Sequence, residues 1–154
     1  MATRDELYAK FGIAAEAAQL LETELGTLLL FATGVRNGWH AEPDAEGARV
    51  ALKEIDRSTL GRLLASLEHV EHVQLSPDIL AHLKSALQAR NRLSHGFFER
   101  HNFKIETDEG RDTMLAELES LHEELYMAWR IASAMTALAL KAAIQDSESR
   151  DVVW

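Results

Sequence analysis

Two stretches of this 154-residue chain, from about residue 4 to 33 and from about 109 to 146, carry leucine and alanine at helical spacing without a proline. That pattern constrains the fold more than any other feature. In the first stretch Leu7, Phe11, Ala14, Ala17, Leu21, Leu25, Leu28 and Leu29 recur three or four residues apart, which gathers them on one side of a helix. A strand, whose side chains alternate every two residues, would scatter them over both faces. Thr3 followed by Glu6 is a capping-box signature that predicts where the helix starts.

The interruptions are as informative as the runs. Gly34, Gly38, Pro43 and Gly47 predict a loop over 34–46 that carries Trp39 and His40, with Asp44 placed to cap a short second helix. Residues 46–56 and 58–74 read as two amphipathic segments or one bent helix, the second opened by Ser58 and bearing Leu60, Leu63, Leu64, Leu67 and Val70. Ser76-Pro77-Asp78 is a hydroxyl cap followed by a first-turn proline, and Ile79, Leu80, Leu83, Leu87 and Leu93 form the apolar stripe behind it. That helix ends at Gly96 in a left-handed cap, or continues through Phe97 and Phe98 to His101; the pattern permits both. Phe103 to Thr107 alternates briefly and is a connector or a short extended piece, and Thr107 or Asp108 caps the final helix. The expected architecture is all-α, a bundle of four or five helices formed by residues 1–146, with a polar tail over 147–154 that frays.

Composition removes several function classes. Without cysteine there is no disulfide framework, thiolate metal site or cysteine nucleophile. The early acidic residues do not form a signal peptide, and no uninterrupted apolar run approaches a membrane span, so a cytoplasmic protein without membrane attachment is expected. The net charge of −9 argues against strong nonspecific nucleic-acid binding. Its distribution is uneven: residues 1–75 carry −5, residues 76–105 carry +3 and residues 106–154 carry −7.

The single positive segment contains Ala-Arg-Asn-Arg-Leu-Ser-His-Gly-Phe-Phe, residues 89–98. An arginine keeps its charge at any ordinary pH, an imidazole is the side chain suited to proton transfer, and Asn91 can orient either Arg90 or His95. On an unbroken helix Arg90 and His95 diverge by about 140°, whereas Asn91 and His95 share a face. One chain would struggle to close both on one anion, but two copies across a two-fold axis can each supply half of a pocket. The competing structural reading makes Arg90 and Arg92 helix-terminal surface charges and His95 a cap for the last carbonyls.

The segment resembles the HEPN superfamily (higher eukaryotes and prokaryotes nucleotide-binding), whose hallmark is an arginine, a polar residue directly after it and a histidine a few residues beyond; here these are Arg90, Asn91 and His95. The resemblance implies a helical bundle that dimerises through the motif and, in many members, cuts RNA without a metal or other cofactor. It further implies a toxin or defence role, with an antitoxin-like protein partner as one possibility. Several members have a tyrosine two residues after the histidine. Phe97 stands there in this chain, so regulation through that hydroxyl is excluded. In this reading Arg90, Asn91 and His95 are catalytic, and Arg92, Arg100 and His101 form a basic rim for RNA or a nucleotide. The alternatives are a noncatalytic nucleotide-binding or protein-interaction module of the same fold, and a plain helical interaction domain.

Other groupings are weaker. His69 and His72 lack a third metal ligand, and Glu119 with His122 is a lone Glu-x-x-His where a di-iron bundle needs two. Phe97, Phe98 and Phe103 can stack on bases, though core or dimer contact is the simpler expectation. Glu117, Glu119, Glu123 and Glu124 are expected on the wet face of the last helix.

Overall fold

Thr3 fixes the beginning of the first helix by reciprocal bonding: its hydroxyl accepts from the Glu6 amide at 3.1 Å, and the Glu6 carboxylate accepts from the Thr3 amide at 2.7 Å. The Thr3 amide first, and the Thr3 hydroxyl donating to the same oxygen at 3.0 Å second, hold the Glu6 carboxyl below its usual range. The computed structural model of the chain describes residues 1–70 and 73–151, with side chains described to residue 146. Among the described residues there are six α-helices and no strand: α1 (Arg4–Arg36), α2 (Ala45–Asp56), α3 (Leu60–Glu68), α4 (Pro77–Ser94), α5 (Phe97–His101) and α6 (Asp108–Asp151), with a 3₁₀ turn at Lys104–Glu106 before the last.

The two long helices run side by side in the same direction. The Ala2 amide donates to the Asp112 carboxylate at 2.6 Å, and further along both helices Lys10 Nζ lies 3.3 Å from His122 Nδ1. The chain from α4 through α5 runs against both: Arg90 meets Glu22 and Phe97 meets Phe11 of α1, while Ser85 meets Glu124 and His101 meets Glu117 of α6. Leu7, Leu21 and Leu25 of α1, Leu60 and Leu67 of α3, Leu83 of α4 and Leu118 and Leu125 of α6 are completely enclosed at the centre. Each buried leucine contributes roughly 1.5–3 kcal/mol of transfer free energy, so this layer is the main source of cohesion.

Helix α2 reaches α1 through a glycine. A Cβ added at Gly26 would stand 2.7 Å from Ile55 Cγ2, closer than methyl groups approach. The Gly26→Ala variant is expected to be destabilised by about 1–3 kcal/mol through overpacking, read as a lowered midpoint in urea with an unchanged slope.

The helical class agrees with expectation, and the element boundaries differ in instructive ways. Helix α1 extends three residues past the expected 33 because Gly34 adopts helical geometry under the Trp39 ring, and the turn is confined to residues 37–44. Among the described residues of the 58–74 segment the helix covers Leu60–Glu68, capped by the Thr59 hydroxyl rather than Ser58, whose hydroxyl donates instead to the Glu54 carbonyl. The count of four or five helices becomes six because α5 is separate from α4. The α6 backbone stays helical to Asp151, past the expected end at 146; the rest of the tail lies outside the described residues.

Candidate functional site

Helix α4 ends where the sequence left two readings open, and both features occur. Gly96 has φ +82°, the left-handed conformation that glycine adopts without a Cβ penalty, and it stops α4. The next residue, Phe97, starts α5 and carries the apolar stripe onward, enclosed at 2% exposure among Phe11, Phe98 and His101. His95 therefore sits at the corner between two helices, at φ −112° and ψ 85°, with its amide donating to the Asn91 carbonyl at 2.9 Å. The helix thus stops at Ser94, and His95 has left helical backbone angles while its amide stays in the helical ladder.

Arg100 performs the capping that the structural reading gave to His95. Its guanidinium donates to the Arg92 carbonyl at 2.8 Å and the His95 carbonyl at 3.2 Å, which otherwise have no helical partner. The His95 imidazole is consequently exposed and makes no hydrogen bond among the described residues. Arg92 is exposed as well, while Arg100 is committed to backbone carbonyls and to Glu117 at 3.3 Å.

Arg90 is anchored on one edge. Its Nε donates to Glu22 at 3.2 Å, an ion pair with both side chains mostly enclosed, and its Nη1 donates to the Asn91 side-chain oxygen at 3.4 Å. Sequence reading missed Glu22. The available signal was a carboxylate directly after Leu21, on the border of an otherwise apolar face of α1.

His101, expected on a basic rim, is buried at 7% exposure, and its Nε2 lies 2.5 Å from Glu117 Oε2. A carboxylate can only accept, so Nε2 carries the hydrogen; the buried Nδ1 has no partner. Glu117 thus faces inward and joins α5 to α6, where a solvated face was expected. Burial pushes its carboxyl upward, but the bonds and charges of His101 and Arg100 outweigh this and hold it below 4.5. Since the folded value is depressed, its stabilising contribution is present above about 4.5 and lost as pH falls through the folded value. The melting-temperature gap between wild type and Glu117→Gln is expected to be wide at pH 7 and to narrow by pH 3.5, measured by circular dichroism.

The aromatic residues divide. Phe97 is core, whereas Phe98 and Tyr8 are exposed with rings 6.1 Å apart and Phe11 between them and the interior. They form a small apolar patch next to the His95 corner. Phe103 is 79% exposed on the following loop.

The metal groupings do not assemble among the described residues, where no three potential ligands come together. His69 Nδ1 bonds the Ala65 carbonyl at 2.7 Å, and His72 lies outside the described residues. His122 adjoins Lys10, and its pKa is lowered by burial first and by the lysine charge second. Far from the His95 corner, Leu30, Phe31, Val35 and Trp39 face Ala139 and Ala143 across an open apolar cleft of about 960 Å³. No family model, curated protein or solved structure matches this chain.

Proposed function

We propose that the chain is a HEPN-type endoribonuclease that needs no metal, acting as a homodimer whose two motifs form one composite site. The observation that carries this reading is the solvent-facing, unpartnered His95 imidazole, freed from capping by Arg100. His95 removes the proton from a ribose 2′-hydroxyl, the 2′-oxygen attacks the adjacent phosphorus as the bond to the 5′-oxygen breaks, and the leaving 5′-oxygen takes a proton from water while the imidazolium returns its own proton to solvent. The products are a 2′,3′-cyclic phosphate and a free 5′-hydroxyl. Arg90, steadied through Nε by Glu22, presents its remaining edge to the phosphoryl oxygens, where charge accumulates. Asn91 keeps that guanidinium in plane. An acidic body of net charge −9 favours a short single-stranded RNA over a long duplex.

The Arg90–Glu22 ion pair favours a second reading, in which Arg90 ties α4 to α1 and the corner is a noncatalytic nucleotide- or protein-binding surface. RNA cleavage in the presence of a chelator, assayed on wild type, Arg90→Ala and His95→Ala, separates the two.

A further inference from the structure

Helix α6 holds a stretch long and apolar enough to cross a membrane, yet only 11% of it is buried in the molecule. A helix that is apolar on nearly all sides is ordinarily covered. Its outward side carries a further pattern. Asp112 and Glu123 are eleven residues apart in the first half, and Arg130 and Lys141 are eleven apart in the second. Eleven residues make just over three turns, so these four charges and Met127 fall within about 60° of one another, with Leu138 about 20° beyond. All six are exposed, Met127 to 43% and Leu138 to 68%. Glu123, Arg130 and Lys141 make no ion pair among the described residues.

We infer that this face of α6 docks on the same face of a second copy of the chain, antiparallel, about a two-fold axis at Met127. The equal spacings select the register. When Arg130 stands opposite Glu123 of the other copy, Lys141 necessarily stands opposite Asp112, and the symmetry generates each pair twice. A parallel arrangement would set like charge against like charge. Met127 meets its own symmetry mate at the axis, and Leu138 covers the turn around Ala116 of the other copy. The contact withdraws the exposed apolar side of α6 from water, and the four cross pairs fix orientation more than they add affinity.

This surface is distinct from the His95 corner and does not depend on the proposed ribonuclease. If both contacts form, chains associate beyond a dimer. The absence of cysteine makes the register directly testable with single-cysteine variants. Met127→Cys is expected to form a disulfide-linked dimer on mild oxidation. Glu123→Cys chains mixed with Arg130→Cys chains are expected to cross-link at least tenfold faster with each other than either does with itself, because like positions lie about 10 Å apart along the axis. In sedimentation, R130E should raise the dissociation constant at least tenfold, and E123R combined with R130E should restore it to within threefold. Wild type that stays monomeric at 200 µM, equal cross-linking rates, failure of the charge exchange to restore association, or uptake onto phosphatidylcholine vesicles in place of self-association would each overturn the inference.

Discussion

Replacing His95 with alanine is expected to lower RNA cleavage at least about 100-fold in chelator, since a positioned general base typically contributes 10²–10⁴ in rate. The residue is exposed and unpartnered, so the same substitution should change stability by no more than about 0.5 kcal/mol, and lost activity cannot be assigned to unfolding. Arg90→Ala is expected to fall by a comparable factor through loss of charge stabilisation at the phosphoryl oxygens. Arg90→Lys should recover little, because a point charge can neither span two oxygens nor keep both its Glu22 and phosphate contacts. Analysis of the cleaved 3′ ends should reveal cyclic phosphate. Cleavage that persists in both alanine variants removes the catalytic reading and leaves the binding module.

The second large effect is structural. Phe97→Ala is expected to destabilise the protein by about 3–5 kcal/mol, a cost typical of emptying an enclosed aromatic position. A domain of this size is stable by only about 5–15 kcal/mol, so the loss is a large fraction of the whole. The ring lies 5.9 Å from Phe11, 5.3 Å from Phe98 and 4.8 Å from His101, and its removal opens a void shared by α1 and α5. Equilibrium urea unfolding measures the cost. Phe97→Leu, which refills most of the volume, should recover over half of it, whereas a cost below 1 kcal/mol for Phe97→Ala would show that α5 contributes little to the core. Because Gly96 and His95 directly precede this anchor, a shifted His95 ring resonance should accompany the loss.

The helices were legible where apolar spacing is long and regular, as in α1 and α6, because a repeat near 3.6 residues has one geometric solution over that length. Thr3, Asp44 and Ser76 act as the caps expected of them, each with its oxygen on an amide three residues on. The 58–74 segment misled because Val70 continues the stripe, and the core accepts Val70 at 9% exposure after the helix has stopped at Glu68. Apolar spacing records burial, and burial does not require a helix. At the site, the cluster of Arg90, Asn91 and His95 was visible from local spacing alone. Its partners were not, because Glu22 lies 68 residues from Arg90 and Glu117 lies 16 from His101, and a single sequence carries no mark of which charges meet across helices. Arg100 was read as an RNA contact for the same reason: a cation facing solvent and one seated on two carbonyls look alike in one dimension.

The parallel run of α1 and α6 has a consequence for biosynthesis. Ala2 must wait for Asp112 and Lys10 for His122, so the part of the enclosed leucine row of the first helix that faces α6 has no final neighbour until more than a hundred further residues have been translated, although α2 and α3 can cover the rest earlier. A ribosome adding about 5–20 residues per second leaves that part of the row uncovered for seconds, long enough for chaperones to engage it. Closure of the bundle is then a late, largely post-translational step, and truncation before residue 108 yields a chain that cannot complete it.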